Sequence, residues 1–574
     1  MLRGSIWLQT VIIAALTPGL CLWNSPVQAN PRGGSVVRGD VNIGSGAGGN
    51  LQIRQNSNSA IINWESFSID AGELTQFRQP NRNAAVLNRV TGGDPSAIHG
   101  ALRANGNVFV INPNGILVGP GGTIDVHGLV LSTLDVENGE FLAGGDLNFK
   151  GVGGNVTNMG RINGIGGDVF LIGRTVTNSG SITASNGTVG LAAGEEVLLT
   201  AEGNTGERLF VRAKGAGVSG TGILNDGTIE GAAVELKAHG NLFALAINNK
   251  GSIRATGATN SGGKVFLRGA GGTVDNSGSI QATGPGVGNA GQVLIEAAYA
   301  KVDGMIRAQG GDVRVTGADK VDFAATVDVS AATGRGGDVI IEGDDITLGS
   351  AALVDASGES GGGNIRVGGG FQGRDAGVMN ADRVVIDDGA MLRADATGSG
   401  SGGNIIVWSD IDTVFAGDLS ARGISRGGFA EISGKETLSV EGNINLTAVN
   451  GPAGTLLLDP TNITISAAGA SALGGNTISN VWLSQQLDLG NNVIVSTNFG
   501  GAEAGNITVN DRVEWYREDA VTTPGSLTLL AMGNILLNRS VRSAGTGGVN
   551  LVAGWNGTAG WSGAAIGDVG GAIT

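Results

Sequence analysis

Asn158-Met159-Gly160-Arg161-Ile162, Asn178-Ser179-Gly180-Ser181-Ile182, Asn225-Asp226-Gly227-Thr228-Ile229, Asn249-Lys250-Gly251-Ser252-Ile253 and Asn276-Ser277-Gly278-Ser279-Ile280 are five copies of one phrase, N-x-G-x-I. Their starts lie 20, 47, 24 and 27 residues apart, and the 47-residue interval reads as two repeat units. A second phrase, glycine followed by an alternating apolar run, interleaves with the first. It occurs at Gly167-Asp168-Val169-Phe170-Leu171 and Gly263-Lys264-Val265-Phe266-Leu267, and recurs at Gly311–Val315, Gly337–Ile341, Gly363–Val367 and Gly403–Val407. Self-similarity at this period is the signature of a stacked-repeat architecture.

The spacing predicts an all-β chain, a right-handed parallel β-helix. Alternate residues of each short strand point inward, so Val169/Leu171, Val265/Leu267 and Val313/Val315 stack as columns through the core. Corners between strands call for residues that tolerate positive φ, which Gly and Asn do. One coil cannot bury its own apolar face, so stability comes from its neighbours. Helix is disfavoured by the 105 glycines and by the lack of a long 3.6-residue pattern. An ordinary β-sandwich is the alternative.

Outside the repeats, the first 29 residues read as a secretory leader. Arg3 supplies the positive charge, Ile6 to Leu22 is largely apolar but interrupted by Pro18-Gly19, and Val27-Gln28-Ala29 offers a cleavage site. The single cysteine, Cys21, falls in the leader, so the mature chain from Asn30 has no thiol and no disulfide. Net charge is −15 and spread thinly, with no basic block, which argues against nucleic-acid binding. At 41% apolar residues the chain is not a disordered one, and nothing beyond residue 30 is long and apolar enough for an integral membrane segment.

The stretch Ile61 to Val136 carries further motifs. Asn63-Trp64 is followed by Phe67, Ile69 and Gly72, then by Val86-Leu87-Asn88-Arg89-Val90, then by Asn112-Pro113-Asn114-Gly115-Ile116. On residues alone the last is a turn between strands 107–111 and 116–118. Pro113 fixes its own φ and biases Asn112 toward extended backbone, while Asn114-Gly115 favours a tight turn with positive φ tolerated at both positions. Asn112 and Asn114 can bond the local backbone, and Ile111 and Ile116 anchor the turn in the core.

These motifs, in this order, resemble the N-terminal secretion domain of filamentous-haemagglutinin-type exoproteins, the exported (TpsA-like) half of a bacterial two-partner secretion pair. The resemblance implies an N-terminal cap that starts the β-helix and export through an outer-membrane Omp85-type (TpsB) transporter. It also implies a secreted or cell-surface location reached through the periplasm, and an adhesin-like role toward host cells, neighbouring cells or their glycans. The Asn112–Ile116 motif is then either read by the transporter or simply a structural turn. The family's companion motif, NPNL, has a weak counterpart at Gln79-Pro80-Asn81-Arg82, where the first Asn and the Leu are changed.

The organisation expected is a leader at 1–29, a secretion domain at 30–150, β-helix repeats at 151–450, and further glycine- and tryptophan-containing β-repeats at 451–574, beginning near Gly454–Ile463. Trp482, Trp515, Trp555 and Trp561 enrich this last part, as packing between coils or as a ligand-stacking surface. The end at Gly570–Thr574 lacks the amphipathic strands of a barrel, so either export is in trans or a C-terminal part is missing.

No chemistry is legible. His99, His127 and His239 are isolated and form no metal-ligand spacing, so no metal, cofactor or catalytic residue is expected. The rival from another class is a β-helical polysaccharide-active enzyme, which needs carboxylates converging from neighbouring coils. Asp344-Asp345 and Asp387-Asp388 are the only adjacent acid pairs worth naming in the regular coils, and they read as solvated corner residues.

Overall fold

The structure, a computed structural model, describes residues 30–201, 206–212, 218–258, 261–284, 290–467, 475–497, 504–516, 524–555 and 573–574. The leader with Cys21 and the 27–29 cleavage site, and Trp561, lie outside the described residues.

Short strands stack coil upon coil in parallel register, which makes the chain a parallel β-helix. One inward column runs Leu102, Ile124, Ile162, Ile182, Ile229, Ile253, Ile280, Ile306, each in register with the next. It continues through Val327, Val354, Leu392, Leu419 and Ile444. A second column holds Val169, Val189, Val234, Val265, Val293, Val313 and Val339. All are buried, and each contributes about 1.5–3 kcal/mol by leaving water. At the N-terminal end, Ser35–Arg38 pairs antiparallel with Ser59–Trp64, and Val41–Ile43 with Asn50–Gln55, capping the first coil.

The N-x-G-x-I corners work differently from the expectation. None of the five asparagines has positive φ; among the described residues Gln372 is the only non-glycine that does. The asparagines point inward, fully buried, and bond one another in a ladder. Nδ2 of Asn158, Asn178, Asn225 and Asn249 donates to Oδ1 of the next rung at 2.7–2.8 Å. The glycines also lack positive φ. They are required because a Cβ on Gly180, Gly227, Gly251 or Gly278 would sit 2.1–2.2 Å from the carbonyl oxygen of the glycine one coil earlier. Close approach of successive coils selects glycine there.

The 47-residue interval is one coil, not two. Asn178 pairs directly with Asn225, and Ser181 with Thr228. The extra length leaves the stack as the antiparallel strands Glu196–Leu199 and Leu209–Arg212, which join Leu147–Lys150 in a three-stranded flap. With helix Asn138–Ala143, the flap covers an outward apolar patch of the coils and encloses a second core around Ile111, Val130, Phe149 and Phe170.

Two further elements break the regular stack. Segment 368–380, between strands Asn364–Val367 and Ala381–Ile386, straps over the outward-facing Trp408 and Glu431. Helix Asn480–Asp488 is capped by the Ser479 hydroxyl and packs Trp482, Leu483 and Leu487 into the core. Trp482, Trp515 and Trp555 are buried, and the Trp482 and Trp515 indole N–H groups donate to Gly442 and Gly525 carbonyls, so they pack between coils.

Candidate functional site

The motif residues of the first coils form one interlocked set. Trp64 packs edge-on against Phe67 at 5.8 Å and donates its indole N–H to Asn88 Oδ1 at 2.9 Å. Asn88 in turn donates to Phe109 O. Its neighbour Arg89 reaches outward and clamps Asp135, Val136 O and Asn138 at the base of the flap. Trp64, Phe67, Ile69 and Asn88 are all buried, so these motif positions hold the domain together and present little to a partner.

The Asn112–Gly115 turn joins strands Asn107–Ile111 and Ile116–Val118. Gly115 N–H donates to Asn112 O at 3.1 Å and closes it. Asn112 Oδ1 accepts from the Asn114 backbone N–H at 3.0 Å, the Asx arrangement that lets Asn114 stay at negative φ; only Gly115 is positive, at 125°. The turn is also bound to both neighbouring coils. Asn112 Nδ2 donates back to Asp94 O and Ser96 Oγ, Ser96 N–H donates to Gly115 O, and Gly154 N–H donates to Pro113 O from the coil above. Ile116 faces the main core and Ile111 the second core under the flap.

The four residues therefore divide by exposure. Asn112 is fully buried with every polar atom used, whereas Pro113 and Asn114 are exposed at the tip. Asp94 and Ser96, which hold the turn from below, were not singled out in the sequence. Their signal, Asp94-Pro95-Ser96 one coil earlier, is visible only once the coil length is known.

Gln79–Arg82 occupies a different corner, between strands Leu74–Arg78 and Ala85–Val90. Gln79 is buried and its amide donates to Gln55 Oε1 and Ala84 O, while Pro80, Asn81 and Arg82 are exposed. Asn81 Oδ1 accepts from Asn83 N–H. The two motif turns share no hydrogen-bond partner, so the structure does not bring them into one site.

The remaining sequence candidates stay apart. His99, His127 and His239 lie on separate coils, and among the described residues no three His, Cys, Asp or Glu side chains converge to hold a metal. Asp344 and Asp345 sit inside strand Asp338–Leu348, the second facing Arg383 at 3.6 Å; Asp387 and Asp388 are exposed after strand Ala381–Ile386. Among the described residues no helix is long and apolar enough to cross a membrane.

The family described as "TPS secretion domain" matches residues 27–282. A heme/hemopexin-binding protein of Haemophilus influenzae is 34% identical over 251 residues, 41% of this chain and 27% of that protein. A second heme/hemopexin-binding protein of that species is 41% identical over 107 residues, 19% of this chain and 12% of its own length. The chain thus spans about a quarter or less of the curated relatives it matches. Among solved structures, the HMW1 secretion domain from Haemophilus influenzae aligns with TM-score 0.46 and 28% identity, over 73% of this chain and all of that one. A filamentous hemagglutinin secretion domain aligns with TM-score 0.30 and 16% identity, over 62% and 99%. Residues 27–282, with the turn at Asn112–Gly115 among them, are a TPS secretion domain by their match to that family.

Proposed function

We propose that this chain is a non-enzymatic surface adhesin, exported through an Omp85-type outer-membrane partner that reads the exposed tip Pro113-Asn114. The match of residues 27–282 to the secretion domain carries the reading. The preformed turn adds a place: Asn112 fixes the geometry from inside, and the tip is offered to the periplasmic part of the barrel. The chain crosses extended and folds outside, each emerging coil docking on the one before it. The long solenoid then presents its faces to host or neighbouring cells.

The test is secretion into the medium with and without a candidate barrel partner, for the parent chain and for Asn114→Ala and Asn112→Ala separately. Release is expected only with the partner. Asn114→Ala loses one bond, to Gly92 O at 2.9 Å, besides its contact with Asn112, and is expected to keep its melting temperature while export falls at least tenfold. Asn112→Ala strips partners from Ser96 and Asn114 and is expected to cost about 2–3 kcal/mol of stability. Equal release without any partner overturns the reading of the chain. Undiminished export of Asn114→Ala overturns the reading of the tip.

A further inference from the structure

A groove of about 730 Å³ runs along one face of the regular coils, lined from six successive coils between Gln309 and Asn445. At the spacing of neighbouring strands it is roughly 24 Å long. Its floor is an outward column in register, Asp355, Arg393, Ser420 and Asn445, which Asp328 and Arg307 continue beyond the groove. Its wall is built from loops that bridge one another in parallel, Ala331 with Gly358 and Gly358 with Ala396.

The floor is organised before any ligand arrives. Asp395, 2% exposed, accepts from Ser420 Oγ at 2.6 Å, Arg422 N–H at 2.7 Å and Arg422 Nε and Nη2 at 3.1 and 2.9 Å. That fixes a hydroxyl and a guanidinium in place. Asp355 accepts from Ser357 N–H at 2.9 Å, and Asn443 donates to Asp418 at 2.8 Å.

The groove's chemistry eliminates most ligands. The floor strands are paired on both sides except the last, Ile444–Asn445, whose open side is capped by the Asn491 side chain, which accepts from Leu446 N–H and donates to Ile444 O, so no sheet edge is free to accept a peptide as an added strand. No lining residue is aromatic, which disfavours a flat apolar ligand. The lining charges are Asp355, Asp395 and Asp418 against Arg393 and Arg422, three negative and two positive, a net of −1 in a chain of −15. A polyanion is repelled there. What remains is a neutral ligand whose groups both donate and accept, so as to pair with alternating carboxylates, guanidiniums, hydroxyls and amides. A linear polyol meets these rungs one after another along the axis, and the groove volume lies in the range of small-molecule sites.

We propose that this groove binds a neutral linear glycan laid parallel to the β-helix axis, with Arg393, Asp418 and Arg422 as its principal contacts. The proposal gives the adhesin reading a ligand class and a location, and rests on that reading only for its biological setting.

The experiment is isothermal titration of the full secreted chain with cellohexaose, maltohexaose, xylohexaose and chitohexaose, with heparin as the polyanionic arm. At least one neutral hexaose is expected to bind, and more tightly than its disaccharide. Arg393→Gln and the groove-filling Ala332→Trp each weaken it at least tenfold with an unchanged circular-dichroism melt. If Ala332→Trp fails to fold, Arg393→Gln decides alone. Binding of none of the four, binding of heparin alone, or binding indifferent to the folded variants overturns the proposal. Cell-binding assays separate the two readings. Variants that lose the glycan but still bind cells leave the adhesin standing and overturn the groove as its adhesive surface, while a parent chain that binds no cells sinks the adhesin and leaves the titration to judge the groove.

Discussion

At Asn225 one side chain holds two neighbours: its Oδ1 accepts from Asn178 and its Nδ2 donates to Asn249. The ladder's last rung differs, because Asn276 accepts from Asn249 but its own Nδ2 is buried without a partner and faces Val302 in the next coil. Removing a buried partner costs roughly 1–3 kcal/mol per group left unsatisfied. Asn225→Leu orphans one donor and one acceptor and is expected to cost about 2–4 kcal/mol. Asn276→Leu creates one orphan while removing another, and should cost under about 1 kcal/mol. Urea denaturation of the two variants, followed at the same transition, checks the difference; equal costs would mean the ladder is not acting through its bonds. The position of these asparagines was legible in the sequence, but their role was not. Locally, N-x-G reads the same whether the side chain turns the corner or faces the core, and only the register with the neighbouring coil distinguishes the two.

At the scale of elements, the strap at 368–380 is held by contacts that titrate. Gln372, at φ 52°, donates its backbone N–H to Glu431 (3.1 and 3.2 Å) and its side-chain amide to Asp459 at 3.1 Å. Ser433 and Ser496 bond the same two acids, and Arg374 lies close enough to favour their charged forms. Burial dominates nonetheless, lifting Glu431 to about 8, with Asp459 adding to the rise, and lifting Asp459 to about 6. Both acids are raised, so the folded state favours their neutral forms. Their contribution is full below the ordinary carboxylate range and is lost as pH rises through about 6 for Asp459 and about 8 for Glu431. Amide exchange in the strap, corrected for the intrinsic rate, is therefore expected to accelerate at least tenfold between pH 6 and 9. Glu431→Gln should flatten that profile, and an unchanged profile in the variant would remove Glu431 as the cause. Strap and flap escaped the sequence reading for one reason. Each is an insertion that leaves a coil and returns in register, so it changes the spacing of repeats without changing their wording. The columns were readable because a strand's two-residue period is local, and the Asn112 turn because proline and glycine act on their own backbone.

Across the whole molecule, and apart from strap and flap, the strands of each coil pair only with those of the coils beside it, so stability is a sum of coil and interface contributions, and a defect should stay local. Val315 lies at the centre of a column between Ile295 and Ile341 and is fully buried. A lysine there has no carboxylate to pair with inside an apolar column, and burying its charge costs several kcal/mol. Two tryptophan groups report on the two sides: Trp64 in the first coils, and Trp408, Trp482 and Trp515 beyond the defect, all buried. Val315→Lys is expected to separate the unfolding midpoints read at these two groups. Amide exchange should rise chiefly in the strands Gln292–Val302, Asp312–Phe323 and Asp338–Leu348. The match to the secretion domain family ends at residue 282, on the N-terminal side of the break, so export through the partner should persist in the variant. A single lowered transition seen by every tryptophan would mean that the stack behaves as one cooperative unit. Folding outside the cell could then not proceed coil by coil, and the docking of each emerging coil could no longer supply the drive for export.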